Sequence, residues 1–149
     1  MNDAQRLIVF SVVLLMAFTF PAQYLHELAH AAVCAAERHE YRLNIGLAFS
    51  SVRCFGTFEN DLLYYASGGV VAGIAFFALG FMPFLSVRIA TWSIAVGNAL
   101  AGMMEGFFRE VYFSLEGYIA VQIFSVLIFI FLLYGLGLSR IKQEGKAAK

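Results

Sequence analysis

Apolar residues in this chain fall into four long runs that are separated by short polar breaks. Each run approaches the ~20 residues that a helix needs to cross a ~30 Å hydrocarbon core. The pattern therefore predicts about four transmembrane helices, and we expect the fold class to be that of an all-α integral membrane protein. The predicted spans cover about residues 7–36, 62–82, 84–104 and 117–138.

The segment between the first two runs has a different pattern. Residues 41–45 and 51–58 alternate loosely between apolar and polar positions and are rich in strand-forming residues. Asn44 and Gly46 favour a turn between the two stretches. We predict a short β-hairpin or a re-entrant loop at the membrane surface here, with a plain connecting loop as the alternative.

The amino-acid composition supports a membrane location. Hydrophobic residues make up 61% of the 149 residues and charged residues only 13%, whereas a soluble domain is about 25% charged. We therefore expect one multi-pass domain over residues 1–149, embedded in a lipid bilayer and, more specifically, in the cell membrane. A solvated basic tail is expected at 139–149, and the net charge of zero argues against nucleic acid as a partner.

An HExxH motif, His26-Glu27-Leu28-Ala29-His30, lies near the end of the first apolar run. On a helix the two histidines, four positions apart, share one face, so both imidazoles can reach one metal ion. Glu27 is rotated by about 100° from that face and is placed to take a proton from a water that the metal activates. The motif predicts a Zn²⁺ site. The alternative is a pair of helix-end histidines that hydrogen-bond to backbone carbonyls or lipid headgroups.

Counting depth along the helices shows which residues can meet. If the first helix starts at residue 7, His26 lies about 28 Å further along it, near the far edge of the hydrocarbon core. The second span starts on that side, with Gly68 and Gly69 just inside the same leaflet. The third span returns to that side, and Glu105 lies about 31 Å along it. We expect these residues to collect at one end of the protein, within reach of water.

Glu105 is the predicted third ligand of the zinc ion. A catalytic zinc takes three protein ligands and one open position, and a carboxylate inside a membrane is a functional candidate by default. The alternative for Glu105 is an interfacial ion pair with Arg109, four residues later. Glu59 and Asp61 are reserve ligands, and His39 can serve only if the chain turns back after the first helix.

Three further residues are candidates for binding a substrate. Asn98 lies seven residues before Glu105, on the same helix face, and is expected to hydrogen-bond a substrate backbone or a metal ligand. Gly68 and Gly69 are expected to let the second helix press against the helix that carries the motif, although ordinary small-residue packing is an equal alternative. Cys34 is too far along the axis from His26, about 12 Å, to share an ion with it, and is predicted to be a small packing residue.

The run at 26–32 resembles the site-2 protease class of intramembrane zinc metalloproteases (peptidase M50), especially its short M50B-like branch. The resemblance extends through the hairpin-like loop and the glycine-containing stretch 66–69, which corresponds to a motif on the next core helix of that family. It then reaches Asn98 and the dipeptide Glu105-Gly106. The family has Asp-Gly at the latter position, with the aspartate as its third zinc ligand, and prolines nearby that this chain lacks.

The resemblance implies a zinc metalloendopeptidase that hydrolyses a peptide bond in or next to a transmembrane segment of a membrane-protein substrate. In that role Glu27 is the general base, and His26, His30 and Glu105 hold the zinc ion. A second class of function stays open: a metal-binding or transport component, or a protease-like membrane scaffold without catalysis. Glu27 favours hydrolysis, because metal binding alone does not need an acid between the two ligands.

Overall fold

The structure, a computed structural model, describes residues 1–46, 50–139 and 141. The basic residues of the predicted tail therefore lie outside the described residues. Four α-helices of useful length, one short α-helix and one pair of strands form the fold. Their bounds are α1 Asp3–Ala36, β1 Glu40–Asn44, β2 Ser51–Phe55, α2 Asp61–Leu79, α3 Leu85–Phe107, α4 Arg109–Tyr112 and α5 Leu115–Leu132, which continues as a π-helical segment, Leu133–Leu138.

Three helices are long and apolar enough to cross a membrane: α1, α2, and α5 together with its π-helical continuation. They match the predicted spans 7–36, 62–82 and 117–138. Helix α3 forms where the span 84–104 was predicted. Among the described residues, however, it is not one of the helices that are apolar enough to cross a membrane. Three of the about four predicted spans are therefore supported by length and apolarity, and a membrane span at α3 stays a prediction.

Helix α3 is the central helix of the bundle, which explains its more polar sequence. It packs against α1, α2 and α5, and both Thr91 and Ser93 are buried on it. Their hydroxyls donate to backbone carbonyls one turn earlier on the same helix, so neither is left without a hydrogen bond. Polar side chains are tolerated on such a helix because neighbouring helices, and not lipid, surround them.

Helices α2 and α3 approach each other through glycine. A Cβ atom on Gly69 would clash with the backbone of Asn98 and Gly102, so only glycine fits at this crossing. Gly73, one turn further along α2, faces the backbone carbonyl of Ala95. This small-residue contact, common between membrane helices, fixes the position of α2 next to the end of α3 that carries Glu105.

Strands β1 and β2 form an antiparallel hairpin, as the alternating pattern predicted. Arg38, with φ of 60°, lies between α1 and β1, and this left-handed backbone conformation accompanies the reversal of the chain. Cys34 is fully buried, and it forms a disulfide with Cys54 on β2. The prediction that Cys34 is only a packing residue was therefore wrong. A pair of cysteines is too few to indicate a disulfide from the sequence, but the hairpin folds back onto α1 and brings them together.

Replacing Gly69 by alanine should lower the free energy of unfolding by about 1–3 kcal/mol, the usual cost of forcing an extra carbon into a packed contact. Gly135→Ala is the matched control, since no atom lies within 4 Å of a Cβ at that position. Unfolding of both purified variants in detergent, followed by circular dichroism, measures the difference. Equal stability of the two variants would contradict the tight α2–α3 contact.

Candidate metal centre

Two helices bring three potential metal ligands together at one end of the bundle. His26 and His30 lie one turn apart on α1, and Glu105 lies near the end of α3. The Oε2 atom of Glu105 is 3.3 Å from Nε2 of His26 and 3.6 Å from Nε2 of His30. All three ligand atoms lie within 4.8 Å of one another. The convergence expected from counting depth is confirmed.

The backbone of α2 orients the ring of His30. Its Nδ1 atom lies 2.8 Å from the carbonyl oxygen of Tyr64, which can only accept a hydrogen bond. Nδ1 therefore carries the hydrogen, and the lone pair of the neutral ring is on Nε2, the atom that faces Glu105. The Ser67 hydroxyl donates to the same carbonyl at 2.7 Å. Such an outer hydrogen bond is the usual partner of a metal-binding histidine.

Asn98 has the corresponding position beside His26. Its amide nitrogen donates to the carbonyl of Ile94 at 3.0 Å, and its side chain lies near the His26 ring. The amide oxygen is therefore the atom that remains to accept a hydrogen from that ring. Both expectations for Asn98, a hydrogen bond to a metal ligand and a contact with a substrate, stay predictions.

Gly68 leaves the space between the two histidines open. A Cβ atom at this position would lie 2.5 Å from Nε2 of His26 and 2.5 Å from Nε2 of His30. A side chain would therefore fill the position that an ion bound by these nitrogens needs. Gly69, by contrast, faces α3. Gly68 thus brings α2 against the motif helix as expected, while a role of either glycine in substrate binding stays a prediction.

The carboxylate of Glu105 is buried, and one of its oxygen atoms lacks a hydrogen-bond donor. Among the described residues no hydrogen bond reaches its Oε2 atom, although the ring nitrogens of both histidines lie close by. For His30 this is explained by the tautomer, since Nε2 presents a lone pair to the carboxylate oxygen. Two facing lone pairs repel unless a cation lies between them. The arrangement therefore suits a metal ion.

Tyr112, on the short helix α4, lies close to Glu105. Burial raises the pKa of the Tyr112 hydroxyl, and the charge of Glu105 and a hydrogen bond to it raise that pKa further. The phenol therefore stays protonated at neutral pH and can donate a hydrogen bond to the carboxylate. Nothing in the sequence pattern indicated this residue, because α4 is a single turn that no periodicity reveals.

The alternative ion-pair partner of Glu105 and the reserve metal ligands lie outside this group of three residues. Arg109 pairs with Asp61 at 3.8 Å and lies over the ring of Tyr65, so the alternative in which it pairs with Glu105 was wrong. His39 lies 3.4 Å from Glu37. Within the described part of the chain, the group able to hold a metal includes none of the reserve ligands Glu59, Asp61 and His39.

Glu27 occupies the next position along α1 after His26 and is half-buried. The described residues offer no hydrogen bond to its carboxylate, so this group is not committed to a structural role. Its function as a general base stays a prediction. Tyr64 and Ser67, which orient His30, were missed by the sequence analysis, since a backbone carbonyl carries no sequence signal.

Comparison with protein-family models, with curated proteins and with solved structures finds no match to this chain.

Replacing Asn98 by leucine should weaken zinc binding by about 10–100-fold, because His26 loses the group that orients its ring. Asn98→Asp keeps an acceptor oxygen at the same position and is the matched control, expected to bind zinc as tightly as the unmodified chain. Competition with a zinc-binding dye in detergent measures both affinities. If N98L bound zinc as tightly as N98D, Asn98 would not orient the ligand.

Proposed function

We propose that this chain is a membrane-embedded zinc metalloprotease that hydrolyses peptide bonds in or next to transmembrane segments of other membrane proteins. The observation that carries the proposal is the meeting of His26, His30 and Glu105 beside the glutamate of an HExxH motif. The comparisons neither support nor oppose it, so it depends on the chemistry of these residues.

The donor set fits zinc. Ligand atoms about 2.0–2.1 Å from a tetrahedral ion lie about 3.3 Å from one another, close to the 3.3 and 3.6 Å that separate Glu105 from the two imidazoles. Two imidazoles and one carboxylate also leave a fourth position open, as a catalytic site requires. When bound, zinc supplies acidification of a water molecule and polarisation of the scissile carbonyl.

The remaining steps belong to the residues of the chain. Glu27 takes a proton from the attacking water and then passes it to the departing amine, a transfer that general acid–base catalysis assigns to a positioned carboxylate. Asn98 and the Tyr64 carbonyl keep the two rings oriented, and Tyr112 holds Glu105. Gly68 keeps the centre free of a side chain. Each group thus has a separate task in one hydrolysis.

The surroundings of the centre favour a membrane protein as substrate. The ligands lie at one end of a bundle in which α1, α2 and α5 are apolar enough to span a membrane, so a substrate helix can approach laterally through lipid. Its carbonyls are hydrogen-bonded within the helix, and the segment must therefore unwind before cleavage. The β1–β2 hairpin, next to the centre along the chain, is a candidate to receive the unwound strand by β-addition.

Glu27→Gln should retain zinc and lose at least about 100-fold in cleavage rate, because it removes the general base but no metal ligand. The assay uses the purified full chain in lipid vesicles with a reporter that contains one transmembrane segment, and zinc content is measured on the same samples. Glu110→Gln, which changes an exposed glutamate on α4, is the matched control and should cleave at the normal rate.

Two results would contradict the protease proposal. Cleavage by E27Q at the rate of the unmodified chain would exclude Glu27 as the base. Stoichiometric zinc binding by the unmodified chain, with no cleavage of any of several transmembrane reporters, would instead indicate a metal-binding component or a protease-like scaffold without catalysis.

A further inference from the structure

The hairpin carries two arginines directly opposite each other. In the register of the sheet, Arg42 on β1 is the cross-strand partner of Arg53 on β2, and both side chains are exposed. Like charges in directly opposite positions destabilise a strand pair. A two-stranded sheet has little stability of its own. The repulsion between the two arginines therefore destabilises the hairpin unless another group binds to both guanidinium groups.

No carboxylate of the described residues neutralises this pair. The ion pairs that the structure contains involve other side chains, and neither Arg42 nor Arg53 takes part in them. Glu40, the one acidic residue of the two strands, lies on the same face two residues from Arg42, but it forms no ion pair with either arginine. The Arg42 guanidinium lies 5.7 Å from the centre of the Phe55 ring. The pair is thus a concentrated positive surface.

The attachment of the hairpin to α1 determines which way this surface faces. Alternate residues of a strand point to opposite faces, so Leu43, Val52 and Cys54 share the face away from the arginines. That face is partly covered, and the disulfide between Cys34 and Cys54 holds it to α1. The face that carries Arg42 and Arg53 is therefore turned away from the helix bundle.

The place of the hairpin in the chain gives its height relative to a membrane. It connects the end of α1 to the start of α2, two helices that are long and apolar enough to span. A segment between two such ends lies outside the hydrocarbon core, towards the lipid headgroups and the water beyond them. Exposed Tyr41 and Phe55 are aromatic residues of the kind enriched at that level.

We propose that Arg42 and Arg53 together bind the phosphate of an anionic phospholipid headgroup and so hold the hairpin against the membrane surface. Two guanidinium groups can donate paired hydrogen bonds to phosphate oxygens. A phosphate between them changes the cross-strand repulsion into a shared attraction. The proposal requires the membrane embedding of the proposed function but not its protease chemistry.

The test measures amide hydrogen exchange of the hairpin in the full chain, reconstituted in two kinds of vesicle. One kind contains phosphatidylcholine alone, and the other also contains phosphatidylglycerol. Each arginine near an anionic surface contributes a factor of about five in binding. Exchange at residues 40–44 and 51–55 should therefore be at least about fivefold slower in the anionic vesicles. The variant R42Q/R53Q should lose this difference, and R6Q, which removes an exposed arginine near the start of α1, should keep it.

The outcomes separate this proposal from the proposed function, because cleavage is not measured. Equal exchange of the unmodified chain in both vesicles, or an undiminished lipid effect in R42Q/R53Q, would overturn the lipid site alone. If inorganic phosphate added to phosphatidylcholine vesicles slowed hairpin exchange as much as phosphatidylglycerol does, the bound phosphate would not need to come from a lipid. That result would overturn the lipid site and indicate a site for free phosphate. Release of the chain from vesicles by an alkaline wash would overturn the membrane embedding and this proposal together.

Discussion

The buried carboxylate of Glu105 is the constraint on which the structure of this site depends. An ionised carboxylate in apolar surroundings is costly unless a positive partner compensates for it. Here the nearest groups are two imidazole nitrogens, and the tautomer of His30 makes one of them an acceptor. A cation shared by all three groups removes the conflict. A metal ion in the proposed position would therefore stabilise the folded bundle as well as supply the proposed chemistry.

Helix α2 prepares this site with backbone atoms. The Tyr64 carbonyl fixes the ring of His30, Gly68 leaves room beside the two ring nitrogens, and Gly69 lets α3 approach closely enough to deliver Glu105. A contact between two glycine-containing helices is rigid because packed backbone cannot rotate away as a long side chain can. The placement of Glu105, the proposed third ligand, follows from this contact.

Much of the fold could be predicted from the sequence. The lengths of the apolar runs indicated the helices to within a few residues, and alternation indicated the hairpin. The meeting of His26 and Glu105 followed from the constant rise of a helix. The central position of α3 was not predicted, because hydropathy does not show which helix the others surround. The partners of Arg109 and Cys34 were also missed, since they depend on how α4 and the hairpin fold back.

The groups that surround the proposed ligands could also be predicted only in part from the sequence. Asn98 was recognised because a seven-residue spacing returns to the same helix face, whereas Tyr64 acts through its carbonyl and Tyr112 through a one-turn helix. Periodicity detects side chains on long regular elements. It does not detect backbone carbonyls or one-turn helices such as α4, although these hold the proposed ligands in place.

X-ray absorption at the zinc K edge on the purified full chain tests the central claim most directly. We predict one four-coordinate zinc ion per chain, with two imidazole nitrogens at about 2.0–2.1 Å and oxygen ligands at about 2.0–2.2 Å. The imidazole signal should halve in His26→Ala. A zinc–sulfur distance of about 2.3 Å, or a spectrum that His26→Ala leaves unchanged, would contradict the assignment of the centre to His26, His30 and Glu105.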